Sequence, residues 1–223
     1  MSIKDNSLFD VRADVAPRFE VLGGRIPTLI VDDFLQYPEL VREAGLSLAF
    51  APPPYPYPGG IAQIPGAWSS IERLKGAVLE LVNDLYFSRL PPINKDGAPI
   101  ERLTTVLADF AVIDVPPDEL SQRQRIPHVD AVPIFGLVYL NAEERGGTLF
   151  FAPRHAAAHT SAGSGYLTGP NEDFELLGRI EGKFNRLAIY PGFIPHSGDI
   201  GDWIETPARI EAPRLTLRLP FFG

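Results

Sequence analysis

The chain of 223 residues contains no cysteine. That absence excludes disulfides, thiolate metal sites and cysteine nucleophiles. Any metal must then be held by His, Asp, Glu or carbonyl oxygen, a donor set that suits Fe(II), Mn(II) or Zn(II). Imidazole is scarce too, with four histidines in all: His128, His155, His159 and His196. No apolar run approaches the ~18 residues needed to cross a bilayer. The stretch Met1-Ser2-Ile3-Lys4-Asp5-Asn6 lacks the apolar segment of a signal peptide, so a cytoplasmic protein is expected. Positive charge is in deficit, 20 Lys and Arg against 28 Asp and Glu, for a net −8. This weighs against a nucleic-acid backbone or an anionic membrane as the main partner and says little about a small-molecule substrate.

Proline and glycine are plentiful, 23 and 20 residues, and they punctuate short apolar runs. That texture predicts a β-rich domain with many turns, and the length suits one domain, residues 1–223. Ile26 to Val31 reads as a strand. Asp32-Asp33 is the expected cap of a short helix over Pro38 to Ala44, which Gly45 weakens. Phe50 to Gly60 is too rich in proline for a helix or a central strand and is expected to be extended. It is either a rim offering Tyr55 and Tyr57 to a substrate or a stiff connector whose tyrosines cover the core. Ser69 to Phe87 reads as an amphipathic helix. Ser69 and Glu72 have capping-box spacing, and Ile71, Leu74, Ala77, Val78, Leu81, Val82 and Leu85 share one side. Pro91-Pro92 ends it.

From Arg102 onward the texture is that of strands: Leu103 to Val115, Pro133 to Ala142, Gly147 to Phe151, Arg186 to Tyr190 and Arg214 to Phe222. Pro133 to Ala142 is apolar on both faces and is expected at the centre of a sheet. Many short strands with few helices suggest a sandwich or jelly roll.

The chemistry-bearing stretch is Ile126-Pro127-His128-Val129-Asp130. Side chains two apart on an extended chain share a face, so His128 and Asp130 can converge on one ion. The third ligand is His196, or else the pair His155 and His159 if their segment is helical. His196 is preferred because it follows an apolar strand and a Pro-Gly turn. Two imidazoles and one carboxylate with open positions form the facial arrangement of non-haem Fe(II) oxygenases.

Five pieces in order carry a family resemblance: His128-x-Asp130, Val138-Tyr139-Leu140-Asn141, Gly146-Gly147-Thr148-Leu149-Phe150, His196 and Arg214-Leu215-Thr216. Together they resemble the Fe(II)/2-oxoglutarate-dependent oxygenases, closest in texture to the prolyl-4-hydroxylase-like branch, over Arg102 to Phe222. The resemblance implies a mainly β fold with flanking helices: a double-stranded β-helix (jelly roll, cupin-like) over residues 101–223, with residues 1–100 as a helical extension packed on the sheet. It implies Fe(II) on His128, Asp130 and His196. It implies 2-oxoglutarate as cosubstrate, its far carboxylate on Arg214 with Thr216 beside it and the Tyr139 hydroxyl nearby. Arg218 shares that strand face and is the alternative anchor. An arginine suits the task because its planar fork pairs with a carboxylate in two places. The implied activity is hydroxylation of a C–H bond of an amino acid, peptide or small molecule. The gap from His196 to Arg214 is longer than in many relatives, and a loop there would offer Trp203 to a substrate. The rival readings are a cupin-like metalloprotein with the same ligands but no 2-oxoglutarate, and a non-catalytic β-sandwich.

Overall fold

The computed structural model describes residues 5–87, 98–115, 119–142, 146–155, 166–200 and 213–223. It is mainly β, with antiparallel pairing throughout. The strands are β1 Arg18–Leu22, β2 Ile26–Val31, β3 Gly59–Gln63, β4 Thr105–Val106, β5 Asp109–Ile113 and β6 Ile134–Tyr139. They continue with β7 Thr148–Pro153, β8 Phe174–Ile180, β9 Arg186–Pro191, β10 His196–Gly198 and β11 Arg214–Phe222. The helices are α1 Pro38–Leu46 and α2 Ser70–Leu81. An eight-stranded sheet runs β1-β2-β9-β6-β11-β5-β3, with β4 also on β11, and a three-stranded sheet runs β10-β7-β8.

The strand β11 shows how alternation sorts the two faces. Leu215, Leu217, Leu219 and Phe221 point into the main core, where they meet Leu74, Val78 and Val82 of the helical layer. Arg214, Thr216 and Arg218 therefore occupy the opposite face. The strand β6 is apolar on both sides, as its sequence predicts: Ile134 and Val138 join the main core, while Phe135, Leu137 and Tyr139 face the small sheet. Phe150 of β7 and Ile180 of β8 close that second layer. The cleft between the sheets is where the polar face of β11 looks.

The N-terminal half departs from the expected helical extension. Residues 1–100 supply β1, β2 and β3 to the large sheet as well as both helices. The β1–β2 hairpin is a three-residue connection that turns on Gly23 and Gly24, both at positive φ, 56° and 66°, and the Arg25 N–H closes the turn on the Leu22 carbonyl at 3.0 Å. A Cβ on Gly23 would lie 2.1 Å from the Leu177 carbonyl oxygen, so glycine also lets the hairpin close onto β8. The expected caps are replaced as well. The N-cap of α1 is Tyr37 with no side-chain bond; Asp32 instead binds Arg186 at 2.6 Å and Arg18 at 2.8 Å. Ser69 makes no capping bond. Its hydroxyl meets Asn6 at 3.0 Å, and Glu72 takes Lys75 at 2.9 Å. After Leu81 the helix widens into a π-type turn, Val82–Tyr86, that brings the Tyr86 hydroxyl to the Pro27 carbonyl at 3.0 Å. Among the described residues no helix is long and apolar enough to cross a membrane.

Two helical glycines predict opposite outcomes for the same substitution. Gly45 in α1 is buried, and an added Cβ would lie 2.8 Å from the Phe110 ring in the core. Gly76 in α2 is exposed with nothing within 4 Å. Alanine gains up to about 1 kcal/mol of helix propensity at either site, whereas overpacking costs about 1–3 kcal/mol. Urea unfolding is expected to show Gly76→Ala stabilised by roughly 0.5–1 kcal/mol and Gly45→Ala destabilised.

Candidate metal centre

The three sequence-selected ligands meet. His128 does not sit in a regular strand; it forms a single antiparallel bridge with His196 at the start of β10. The His128 N–H donates to the His196 carbonyl at 2.9 Å, and the His196 N–H returns the bond at 2.8 Å. One step along, the Asp130 N–H donates to the Gly192 carbonyl at 2.8 Å, and the Gly192 N–H donates to the Pro133 carbonyl at 3.0 Å. The segment 128–133 is thus laced to 192–196 by main chain. Gly192 is needed there: a Cβ would lie 2.3 Å from the Val132 carbonyl oxygen and 3.2 Å from Asp130 Cβ.

His128, Asp130 and His196 each offer one ligand atom, all within 4.8 Å of one another. His196 Nδ1 lies 2.8 Å from the Ile194 carbonyl oxygen. A carbonyl only accepts, so Nδ1 carries the proton and donates, which leaves the Nε2 lone pair facing the site. That Nε2 lies 3.2 Å from Asp130 Oδ2, yet Oδ2 is buried with no aligned hydrogen-bond partner. Two electron-rich atoms held this close are satisfied by a shared cation, either a proton or a metal ion. Neighbouring donors at about 2.1 Å on an octahedral ion sit about 3.0 Å apart, so the pair already has the spacing of adjacent ligands. His128, the most open of the three, completes the face with the freedom to adjust.

The electrostatics favour an ionised acid at the centre of the group. Burial pushes the Asp130 carboxyl up, but His196 and then His128 outweigh it, and the acid lies below its ordinary range. Crowding lowers His128 to about 4, helped by His196 and opposed by Asp130. His128 keeps an exposed edge by surface area, so the packing around the ring, more than its open edge, sets that direction. The wall behind the ligands is aromatic. The Tyr190 ring stands edge-on to His196 at 5.2 Å and to Phe150 at 5.0 Å.

Arg214 lies near the ligands, close enough for its charge to add to the lowering of His128. A Cβ on Gly198 would come 3.7 Å from the Arg214 guanidinium carbon, and Gly198 shares a strand face with His196 two residues before it. Arg214 is 4% exposed. It donates to the carbonyls of Gly146 and, at 3.1 Å, Gly147, and it lies 5.6 Å over the Tyr139 ring. Among the described residues no carboxylate pairs with it. Thr216, on the same face, is fully buried with its hydroxyl unpartnered. The Tyr139 hydroxyl is taken by Thr148 at 2.7 Å.

Arg218 differs. It faces Asp109 directly across the β11–β5 ladder and grips it twice, at 2.6 and 2.8 Å. Its charge is answered by a carboxylate, and among the described residues that of Arg214 is not. Of the alternative pair of histidines, His155 is bound elsewhere. His155 Nε2 meets Asp173 at 2.8 Å, while His159 and Trp203 lie outside the described residues. Sequence reasoning missed Tyr190, Thr148, Tyr166 and Asp109. Tyr190 had a signal, since it is the last aromatic of an apolar strand leading into the ligand turn. Asp109 had none, because only strand pairing brings it to Arg218.

The chain matches a family of unknown function, DUF6445, over residues 13–163 and 154–221, and it belongs to that family. Among solved structures it is similar to the crystal structure of a bsmA homolog from Methylobium petroleophilum PM1. The identity is 12%, over 94% of this chain and 77% of that chain, with a TM-score of 0.38. No curated protein matches.

The confrontation of Nε2 with Oδ2 gives Asp130→Asn a split effect. The amide removes a buried charge whose oxygen lacks a partner, so the metal-free variant is expected to melt at or above the wild type. A divalent ion that binds only the folded state raises the melting temperature by mass action. Mn(II) is expected to raise it in the wild type and to do nothing in Asp130→Asn, as read by thermal denaturation.

Proposed function

We propose that this member of the DUF6445 family is an Fe(II)- and 2-oxoglutarate-dependent dioxygenase, built on a double-stranded β-helix, that hydroxylates a C–H bond of an amino acid, peptide or small molecule. The observation that carries the reading is the pairing of two unmet needs in one cleft. Three side chains offer an open metal face, and a buried guanidinium near them has no carboxylate among the described residues. A dicarboxylate with a metal-binding 2-oxo acid at one end answers both.

In this reading His128, Asp130 and His196 hold the iron. These three donors would hold the ion from one side and leave it open to the cosubstrate. Iron and 2-oxoglutarate together supply oxidative decarboxylation: 2-oxoglutarate, O2 and R–H become succinate, CO2 and R–OH. The chain's own part is positional. Arg214 and Thr216 fix the far carboxylate by charge and hydrogen bonding in a site shielded from water, where such bonds are strong. The Ile194 carbonyl orients the His196 ring, as the second partner of a ligating imidazole commonly does. Tyr190 and Phe150 keep the ligand side apolar. Arg218, saturated by Asp109, is left out of the cosubstrate role.

The reading predicts that anaerobic Fe(II) and 2-oxoglutarate give a weak visible charge-transfer band. The band is expected to vanish in His128→Ala. In Arg214→Ala metal is expected to bind as before, while the 2-oxoglutarate needed for the band rises on the order of 100-fold, the loss of a buried charge pair. A wild-type protein that binds Fe(II) but shows no response to 2-oxoglutarate would return the chain to the metalloprotein without cosubstrate.

A further inference from the structure

We propose that Tyr57, from the proline-rich N-terminal loop, is a third member of the anion clamp and donates its phenol hydrogen to the ligand carboxylate held by Arg214 and Thr216. This rests on the reading just given and assigns the loop a part in it.

The loop is a fixed wall. Its base is pinned by a two-bond bridge between Ala51 and Ile61, at 3.0 and 2.9 Å. Gln124 Nε2 donates to the Tyr57 carbonyl at 2.6 Å, and Arg218 donates to the Tyr55 hydroxyl at 3.0 Å. Proline on either side of Tyr57 restricts the backbone further. Tyr57 itself packs with Ile113, Tyr166 and Ile200. Ile113 is the direct cross-strand neighbour of Arg214, and a Cβ on Gly198 would meet Ile113, Ile200 and the Arg214 guanidinium carbon within 3.7 Å, so Tyr57 and Arg214 border the same cluster. The Arg218 guanidinium lies 5.8 Å from the Tyr57 ring centroid and holds the ring from the other side.

The hydroxyls around it are spoken for. Tyr55 has Arg218, Tyr139 has Thr148, and Tyr166 donates to the Gly198 carbonyl at 2.7 Å. Among the described residues Tyr57 has no hydroxyl partner, and its two flanking cations sit where an anion would be attracted. Burial raises the phenol, and Arg214, then Arg218, draw it the other way. A phenol next to an unanswered guanidinium donates well to a carboxylate but cannot bond to the guanidinium itself, since arginine has no acceptor. A carboxylate placed between them accepts from both, with the Thr216 hydroxyl as a third donor. Tyr55, 48% exposed, anchors the loop from outside and is not part of the clamp.

The test is calorimetric titration of the Mn(II)-loaded full chain with 2-oxoglutarate and with pyruvate, which lacks the distal carboxylate. Tyr57→Phe keeps the ring and its stacking and removes only the hydroxyl. The expected result is a dissociation constant for 2-oxoglutarate raised about 10- to 100-fold, the range for a hydrogen bond to a charged group. Pyruvate binding, Mn(II) affinity and melting temperature are expected to stay as in the wild type. Equal weakening for pyruvate, or no change for 2-oxoglutarate while Arg214→Ala weakens it, would overturn the role of Tyr57 and leave the cosubstrate reading intact. Failure of the Mn(II)-loaded wild type to bind 2-oxoglutarate at all would overturn both.

Discussion

Two main-chain hydrogen bonds carry the centre: His128 N–H to the His196 carbonyl and its reciprocal, at 2.9 and 2.8 Å. They join segments far apart in sequence and set both imidazoles on one side of the join, ring centroids 4.5 Å apart. The neighbouring Asp130 to Gly192 bond adds the carboxylate to the same point. The register is fixed by main chain and the ligands follow from it. That is a robust way to build a site, because a one-residue slip would turn the imidazole to the other face.

The second constraint is the distribution of charge on β11. Arg214 and Arg218 are chemically identical and share one strand face, yet strand pairing treats them oppositely. Arg218 lies across from Asp109 and is neutralised; Arg214 lies across from Ile113 and meets no carboxylate among the described residues. A buried ionised side chain without a counter-charge is costly. The protein meets part of that cost with the Gly146 and Gly147 carbonyls and the Tyr139 ring. The far carboxylate of the proposed cosubstrate would meet the remainder.

Much of this was legible in the sequence and some was not, for physical reasons. Alternation on β11 and the two-faced apolar β6 follow from local pattern, so the strands and the side that Arg214 and Thr216 occupy could be read directly. His128 and Asp130 could be paired from spacing alone, although they turn out to lie on a bridge and not a regular strand. The strands β1, β3, β8 and β10 were missed. Arg18–Leu22 alternates weakly because it is a half-exposed edge, and Gly59–Gln63 opens with two glycines. Such segments become strands only through long-range pairing, which overrides propensity. The capping box at Ser69 and Glu72 failed for the same reason: Asn6 and Lys75 outcompeted it. The role of Arg218 and the placement of Tyr57 near Arg214 depend on partners distant in sequence, and no local pattern encodes them.

The central claim is that two imidazoles and one carboxylate share one divalent ion. Anomalous diffraction from crystals grown with Mn(II) tests it most directly. The account predicts one dominant anomalous peak about 2.1–2.2 Å from a nitrogen of His128, a nitrogen of His196 and an oxygen of Asp130. An absent peak, or a manganese ion bound elsewhere with these three side chains turned apart, would contradict it.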